Sequence, residues 1–253
     1  MRRLNYINFF GILYSTVVVI LIFTGAVRMW WLLLGGLLWI GLLAWGAFDM
    51  RLNIFVKAIS CHKNETRKRI AITFDDGPTL FTPKVLELLT LYKAKATFFC
   101  IGNQVVQHPD ILLQVLAQGH LIGNHTQTHT TRMGFLSAEE VYQEIITAEQ
   151  TIVDTIGVRP MWYRPPFGVT NPNIAKALAR TTYKVAGWNI RSLDTVIEKE
   201  QRIFERIKHK IRPGAIILLH DTTDKSVQAL ELLLIELTKQ GYEMVTLDQL
   251  LND

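Results

Sequence analysis

The chain has 253 residues, with 27 Lys plus Arg against 22 Asp plus Glu, a formal net charge of +5, and 49% hydrophobic residues. That length holds one domain with a substantial core and a shorter accessory segment beside it. Two cysteines, Cys61 and Cys100, exclude a disulfide framework or a cysteine zinc site, and with no basic stripe interleaved with aromatics, nucleic acid is excluded as a partner.

The apolar excess lies at the front. Between Ile7 and Phe48 the only charged side chain is Arg28. At about 20 residues per crossing, this predicts two membrane spans, over 7–27 and 29–48. The second carries Trp30, Trp31, Trp39 and Trp45, residues suited to the membrane interface. The first apolar run is longer than the h-region of a cleaved signal peptide, so an uncleaved hairpin anchor over 1–50 is expected. A basic linker, 51–66, follows, and its Arg51, Lys57 and Lys63 suit anionic headgroups. Residues 67–253 then form the globular domain.

Within that domain, short apolar runs alternate with amphipathic stretches. Ile70–Phe74 reads as a strand and Pro83–Tyr92 as a helix with proline near its start. Thr97–Ile101 is a strand, and Asp110–Gln118 a helix stopped by Gly119. His120–Asn124 is a strand. Ser137-Ala138-Glu139-Glu140 is a capping box opening a helix to about Ile156. Met161–Arg164 and Lys184–Trp188 are strands around a helix at Asn173–Arg180. Glu200–Lys210 is a helix, Ala215–Leu219 a strand, and Ser226–Gln240 the last long helix. Tyr242–Thr246 closes as a strand before a helical tail.

This alternation predicts α/β architecture with about seven parallel strands and crossover helices. The strands are continuous apolar runs, as expected when both faces are covered. In a (β/α) barrel, chemistry collects at the carboxyl ends of the strands. The chemically suggestive residues fall there: Asp75 and Asp76, His125, Arg164, Asp194 and His220.

Four motifs carry the functional signal. They are Thr73-Phe74-Asp75-Asp76-Gly77, His125-Thr126-Gln127-Thr128-His129, Arg164-Pro165-Pro166-Phe167-Gly168 and Leu218-Leu219-His220-Asp221. In this order they resemble the polysaccharide deacetylase family, the NodB-homology domains or family 4 carbohydrate esterases, over about 69–253. The resemblance implies a distorted (β/α) barrel that removes N-acetyl groups from N-acetylhexosamine residues of a glycan. It also implies a peptidoglycan or chitin-like substrate and a divalent metal.

The residues carry a physical reading of their own. Adjacent carboxylates raise each other's pKa, and a nearby cation removes that cost. His125 and His129, four apart, would share a face on one helical turn. Asp76 then completes a His-His-Asp triad with an open position, as in catalytic zinc, although cobalt or another divalent ion would fit the same ligands. By resemblance, Asp75 is the general base, and Arg164 pairs with it and positions it. Phe167 offers its backbone N–H to the oxyanion, in a loop stiffened by Pro166. His220 is the general acid, oriented by Asp194, and Leu218 and Trp188 line the acyl pocket.

One departure stands out. The family often reads Asp-x-x-Asp-Trp after a Trp, whereas here Trp188 and Asp194 match but Arg191 and Thr195 replace the first Asp and the last Trp. Arg191 raises an alternative: deacylation or deformylation of an anionic, lipid-linked sugar. A third reading, a catalytically inactive carbohydrate-binding relative, sits poorly with the presence of Asp75, Asp76, His125, His129 and His220. Partners are thus a glycan or lipid-linked sugar and membrane lipids, with no protein partner predicted. His62, His108, His120 and His209 read as surface or loop residues. Arg2 and Arg3, with the basic residues after Phe48, favour a cytoplasmic domain by charge. The resemblance to exported deacetylases favours the outside, and an extracytoplasmic domain is the expectation.

Overall fold

The protein, a computed structural model, is described over residues 2–252. Two helices open the chain, α1 (Arg2–Phe23) and α2 (Trp30–Phe48). They pack antiparallel, with Tyr14 donating to the Trp31 carbonyl at 2.8 Å. Glycines make the approach possible: a Cβ at Gly35 would lie 2.0 Å from the Tyr14 ring. Both helices are long and apolar enough to cross a membrane, and most of their large side chains are exposed.

The rest alternates strands and helices: β1 (Ala58–Ile59), β2 (Arg69–Gly77), α3 (Thr82–Leu91), β3 (Thr97–Cys100), α4 (Gly102–Gln107), α5 (Pro109–Ala117), β4 (Leu121–Asn124), α6 (Ala138–Ile156), β5 (Trp162–Tyr163), α7 (Pro172–Leu178), β6 (Lys184–Ala186), β7 (Ile190–Arg191), α8 (Glu200–Lys208), β8 (Ile216–His220), α9 (Asp224–Lys239), β9 (Glu243–Val245) and α10 (Leu247–Asn252). The sheet runs β1-β6-β5-β4-β3-β2-β8-β7, with β9 beside the start of β2. All of these ladders are parallel, so the predicted parallel barrel is present as a curled, open one. The chain from β6 into β7 joins the two ends of the sheet, pairing first with β5 and then with β8.

Alternate residues of the central strands feed two of three cores, while Ala58, Tyr163 and Val185 of β1, β5 and β6 feed the third. Ile70, Ile72 and Phe74 face outward with Phe98, Ile217 and Leu219 against α3, α5, α8 and α9. Ala71, Phe99, Trp162, Ala186 and Ile216 face inward, where Leu247 and Leu250 of α10 pack against them. Both faces being covered explains why the strands read as runs. The Ser137 capping box forms as predicted, and Gly157 ends α6 with φ 70°.

Two short strands escape the sequence pattern. β1 arises inside the expected linker, where Ile54, Phe55 and Val56 are buried and Ala58 pairs with Val185. β7 is two residues long, and Arg191 breaks up its apolar run. His120 is also corrected: it is buried, its Nδ1 accepts from Ala96 N–H at 3.2 Å, and burial pushes it down to about 4.

Candidate active site

In a regular strand adjacent side chains point to opposite faces, so Asp75 and Asp76 should not share a site. A bulge changes that. The β2–β3 register shifts between Asp75 and Gly77, and Asp76 takes φ 73°. Such a conformation costs on the order of 1–3 kcal/mol and persists only where the surroundings enforce it. The bulge re-aims one carboxylate, and His125 Nε2 ends 3.8 Å from Asp75 Oδ2 and 3.5 Å from Asp76 Oδ1.

The two histidines do not lie on a helical turn as expected. Residues 125–129 form an irregular loop, with Thr126 at φ 69° and His129 at φ 50°. The Asn124 carboxamide oxygen accepts from Thr126 N–H at 2.8 Å, a local bond that competes with helix formation. Glu144 on α6 accepts from the Thr128 N–H at 2.9 Å and from its hydroxyl at 2.8 Å. The loop still brings the His125 and His129 rings together, with centroids 4.8 Å apart.

The ligand atoms of Asp76, His125 and His129 all lie within 4.8 Å of one another. Asp76 Oδ1 is 3.5 Å from His125 Nε2 and 3.4 Å from His129 Nε2. Tetrahedral ligands about 2.0–2.1 Å from an ion stand roughly 3.3 Å apart, which matches these separations. Asp76 Oδ1 is buried with no hydrogen-bond partner, a costly state that a cation relieves. His125 Nδ1–H donates to the Arg164 carbonyl at 2.7 Å, which turns Nε2 toward Asp76. The donor set therefore fits a divalent ion.

Burial would lower His125, but the charges of Asp75 and Asp76 raise it, so the two acids draw positive charge to this spot. Burial, aided by the charge of His125, pushes His129 down to about 4 and leaves a neutral ring with a lone pair. Burial alone would raise the Asp76 carboxyl, but the close approach of His125, and then of His129 and His220, holds it well below the usual range.

Arg164 is fully buried and fully engaged. It donates to Asp75 Oδ1 at 2.6 Å, Thr73 Oγ1 at 2.9 Å, and the carbonyls of Ala186 and Gly187 at 3.3 and 3.0 Å. Its guanidinium lies 4.1 Å from the Phe99 ring centroid. A buried charge is tolerated only with such complete pairing, and the result is a fixed Asp75.

Opposite, β8 ends at His220. Its Nδ1–H donates to Asp194 Oδ1 at 2.8 Å, and its main-chain N–H donates to Oδ2 at 2.8 Å. The Ser192 hydroxyl donates to the same carboxylate at 2.7 Å. Burial would lower His220, but the hydrogen bond and charge of Asp194 overcome it and raise the imidazole to about 9. His220 Nε2 stands 3.9 Å from Asp76 Oδ2. Asp194 follows β7, not the end of a strand over 184–188 as the sequence predicted.

The remaining expected residues surround this centre. Phe167 has φ 59° and is half exposed, with its ring centroid 4.6 Å from that of His129. The bonds bracing its turn are donated by Gly168 and Val169, to Pro165 and Pro166. Pro166 is buried in that turn. Leu218 is buried two residues before His220 on β8. Trp188 abuts Gly168, where a Cβ would lie 2.4 Å from the indole. The side chains of Asp76, His129 and His220 are 27%, 16% and 15% exposed, so the cluster opens to solvent.

Comparison with known proteins agrees. A family model described as polysaccharide deacetylase matches residues 62–186. A peptidoglycan-N-acetylglucosamine deacetylase of Bacillus cereus is 38% identical over 190 residues, covering 73% of this chain and 88% of that protein. The chain belongs to the polysaccharide deacetylase family. The peptidoglycan-N-acetylglucosamine deacetylase PgdA of Listeria monocytogenes is 34% identical over 196 residues, 77% of this chain, but the match spans only 41% of that longer protein. The solved structure of peptidoglycan deacetylase PdaC from Bacillus subtilis superposes with a TM-score of 0.69 at 34% identity, covering 73% of this chain and 90% of that one.

Several supporting residues were not anticipated. Thr73, two before Asp75 and so on the same strand face, was legible in principle; Ser192, two before Asp194, was not, because β7 was not seen. Glu144 lies on another element and left no local signal. Asp221 is fully buried: one oxygen accepts from the Thr82 hydroxyl and the other has no partner. Burial pushes this carboxyl up to about 7.

Proposed function

We propose that the chain is a metal-dependent amidohydrolase that removes N-acetyl groups from N-acetylhexosamine residues of a glycan, peptidoglycan or chitin-like, releasing acetate. The observation that carries this reading is one cluster holding a cation triad, an Arg164-fixed carboxylate and an Asp194-fixed imidazole. A bound divalent ion, zinc by its donor set, would polarise the amide carbonyl and acidify a water.

The chain's own residues would do the rest. Asp75, held by Arg164, accepts the proton of the attacking water. His220, protonated through its bond to Asp194, gives a proton to the departing amide nitrogen. The Phe167 N–H serves the developing oxyanion, while Leu218 and Trp188 flank the acyl group. Asp76, His125 and His129 hold the ion. In this reading residues 1–50 anchor the enzyme as a two-helix hairpin, 51–66 join it to the barrel, and 67–253 form the catalytic domain on the extracytoplasmic side, where such glycans lie.

The test is acetate release from N-acetylglucosamine oligomers by the full chain, with zinc content measured in parallel. Asp75→Asn is expected to keep its metal and to lose at least about 100-fold in kcat, the scale of general-base catalysis. Activity equal to wild type in that variant refutes the assignment.

A further inference from the structure

One cavity outside the catalytic cluster is unusually cationic. It has a volume of ≈ 370 Å³ and lies between the carboxyl end of α2 and the barrel, walled by Trp45, Phe48, Trp188, Arg191, Arg206 and Lys210. Arg51 and Asp49 also face it, and these two satisfy each other through a two-pronged pair at 2.8 and 2.7 Å. Among the described residues, Arg191, Arg206 and Lys210 have no carboxylate within ion-pair distance. Arg206 Nε instead donates to the Arg191 carbonyl at 3.0 Å. Three like charges around one hollow repel each other. An anion with several acceptor oxygens removes that cost, and planar guanidinium groups suit phosphate oxygens in particular. Arg191 is also the residue that stands where the family pattern has an Asp.

Position narrows the source of the anion. Thr170 lies just past the Phe167 loop, and its N–H donates to the Ala47 carbonyl at 2.9 Å and its hydroxyl to the Gly46 carbonyl at 3.3 Å. The last turn of α2 is thereby fixed to the catalytic loop. Trp188 walls the cavity, and the same indole touches Gly168 and sits 5.4 Å from the Arg164 guanidinium. Trp45 and Phe48, 58% and 75% exposed, protrude where a spanning helix would meet the headgroups. The cavity thus lies beside the last turn of α2 and shares its Trp188 wall with the Phe167–Gly168 loop.

We propose that this cavity binds the phosphate or diphosphate of a lipid-linked glycan, so that the chain deacylates a sugar still attached to its membrane lipid. The proposal rests on the deacetylase reading above and narrows its substrate class.

The test uses the full chain in lipid nanodiscs, with Arg191→Gln/Lys210→Gln as the variant; Arg206 stays because it braces β7. Acetate release is compared on a polyprenyl-diphosphate-linked N-acetylglucosamine and on neutral chitotetraose. The variant is expected to lose about tenfold or more in kcat/KM on the lipid-linked sugar, the scale of lost charge-assisted hydrogen bonds, and to stay within about twofold on chitotetraose. Equal losses on both, no loss on the lipid-linked sugar, or a wild type active on chitotetraose alone overturns the proposal while leaving the deacetylase intact.

A wild type inactive on both overturns the deacetylase reading, and the cavity is then judged by binding. The polyprenyl-diphosphate sugar should bind about tenfold tighter to wild type than to the variant, and tighter than phosphatidylglycerol does. Equal affinities refute the cavity's role.

Discussion

Replacing Asp194 by Asn tests how the barrel maintains a charged imidazole at a half-open site. Wild-type His220 is raised to about 9 against burial, chiefly by the hydrogen bond and charge of Asp194, with Asp75 and Asp76 adding to it. Asn keeps an oxygen for the 2.8 Å contact but removes the charge. His220 is then expected to titrate at or below its ordinary 6.5. A fall of that size, at 1.36 kcal/mol per pH unit, is roughly 3 kcal/mol less stabilisation of the imidazolium. The assay is an NMR titration of the His220 ring in metal-free protein, with the pH profile of kcat/KM beside it. In the proposed role of general acid His220 must be protonated, so the alkaline limb of that profile should move toward acid pH in the variant. Stability follows with a defined sign. A raised imidazole stabilises the fold below about pH 6.5 and loses that contribution as pH rises through about 9. The variant should therefore be most destabilised at low pH and least above that window. A midpoint unchanged from wild type would show that Asp194 does not set the charge of His220.

Three further outcomes can be checked independently. Asp76→Asn should weaken zinc binding, measured by competition with a chromophoric chelator, by more than the about 10–100-fold typical of losing an outer-sphere partner. Asp221 has its carboxyl pushed from 3.8 to about 7 by burial, so the native state loses stability relative to the unfolded chain as pH rises between those values. That loss is about 4 kcal/mol at 1.36 kcal/mol per pH unit; Asp221→Asn should flatten the pH dependence of thermal melting across the window. Gly168→Ala combines a φ of +69° with a Cβ placed 2.4 Å from Trp188. It should cost on the order of 1–3 kcal/mol in melting experiments.

What the sequence revealed depended on range. The long strands and helices were legible because burial on both faces leaves continuous apolar runs, as in Ile70–Phe74, and because Ser137 and Gly157 mark the ends of α6 chemically. The motif residues converge because parallel strands deliver their carboxyl ends to one mouth, a consequence of topology that spacing alone can anticipate. β1 and β7 were invisible because Lys57 and Arg191 break up their apolar runs, whereas β5, equally short, lies in the uninterrupted run Met161–Tyr163. The backbone around the ligands was misread for another reason. A four-residue spacing between histidines is compatible with a helical turn, but Asn124 and Glu144 pull the intervening amides into another path.

The bulge at Asp76 carries the same lesson into mechanism. Strand geometry by itself would have separated the tandem carboxylates onto opposite faces, one toward the barrel mouth and one toward the helices. The positive φ at Asp76 is what lets Asp75 keep its bond to Arg164 while its neighbour turns to His125 and His129. The two acids can therefore hold different roles despite adjacency, one fixed by a buried guanidinium and one left with an unpartnered oxygen for a cation. Pairing each carboxylate with its own positive partner offsets the repulsion that two adjacent charges would otherwise impose, and local backbone strain is the feature that makes the separation possible.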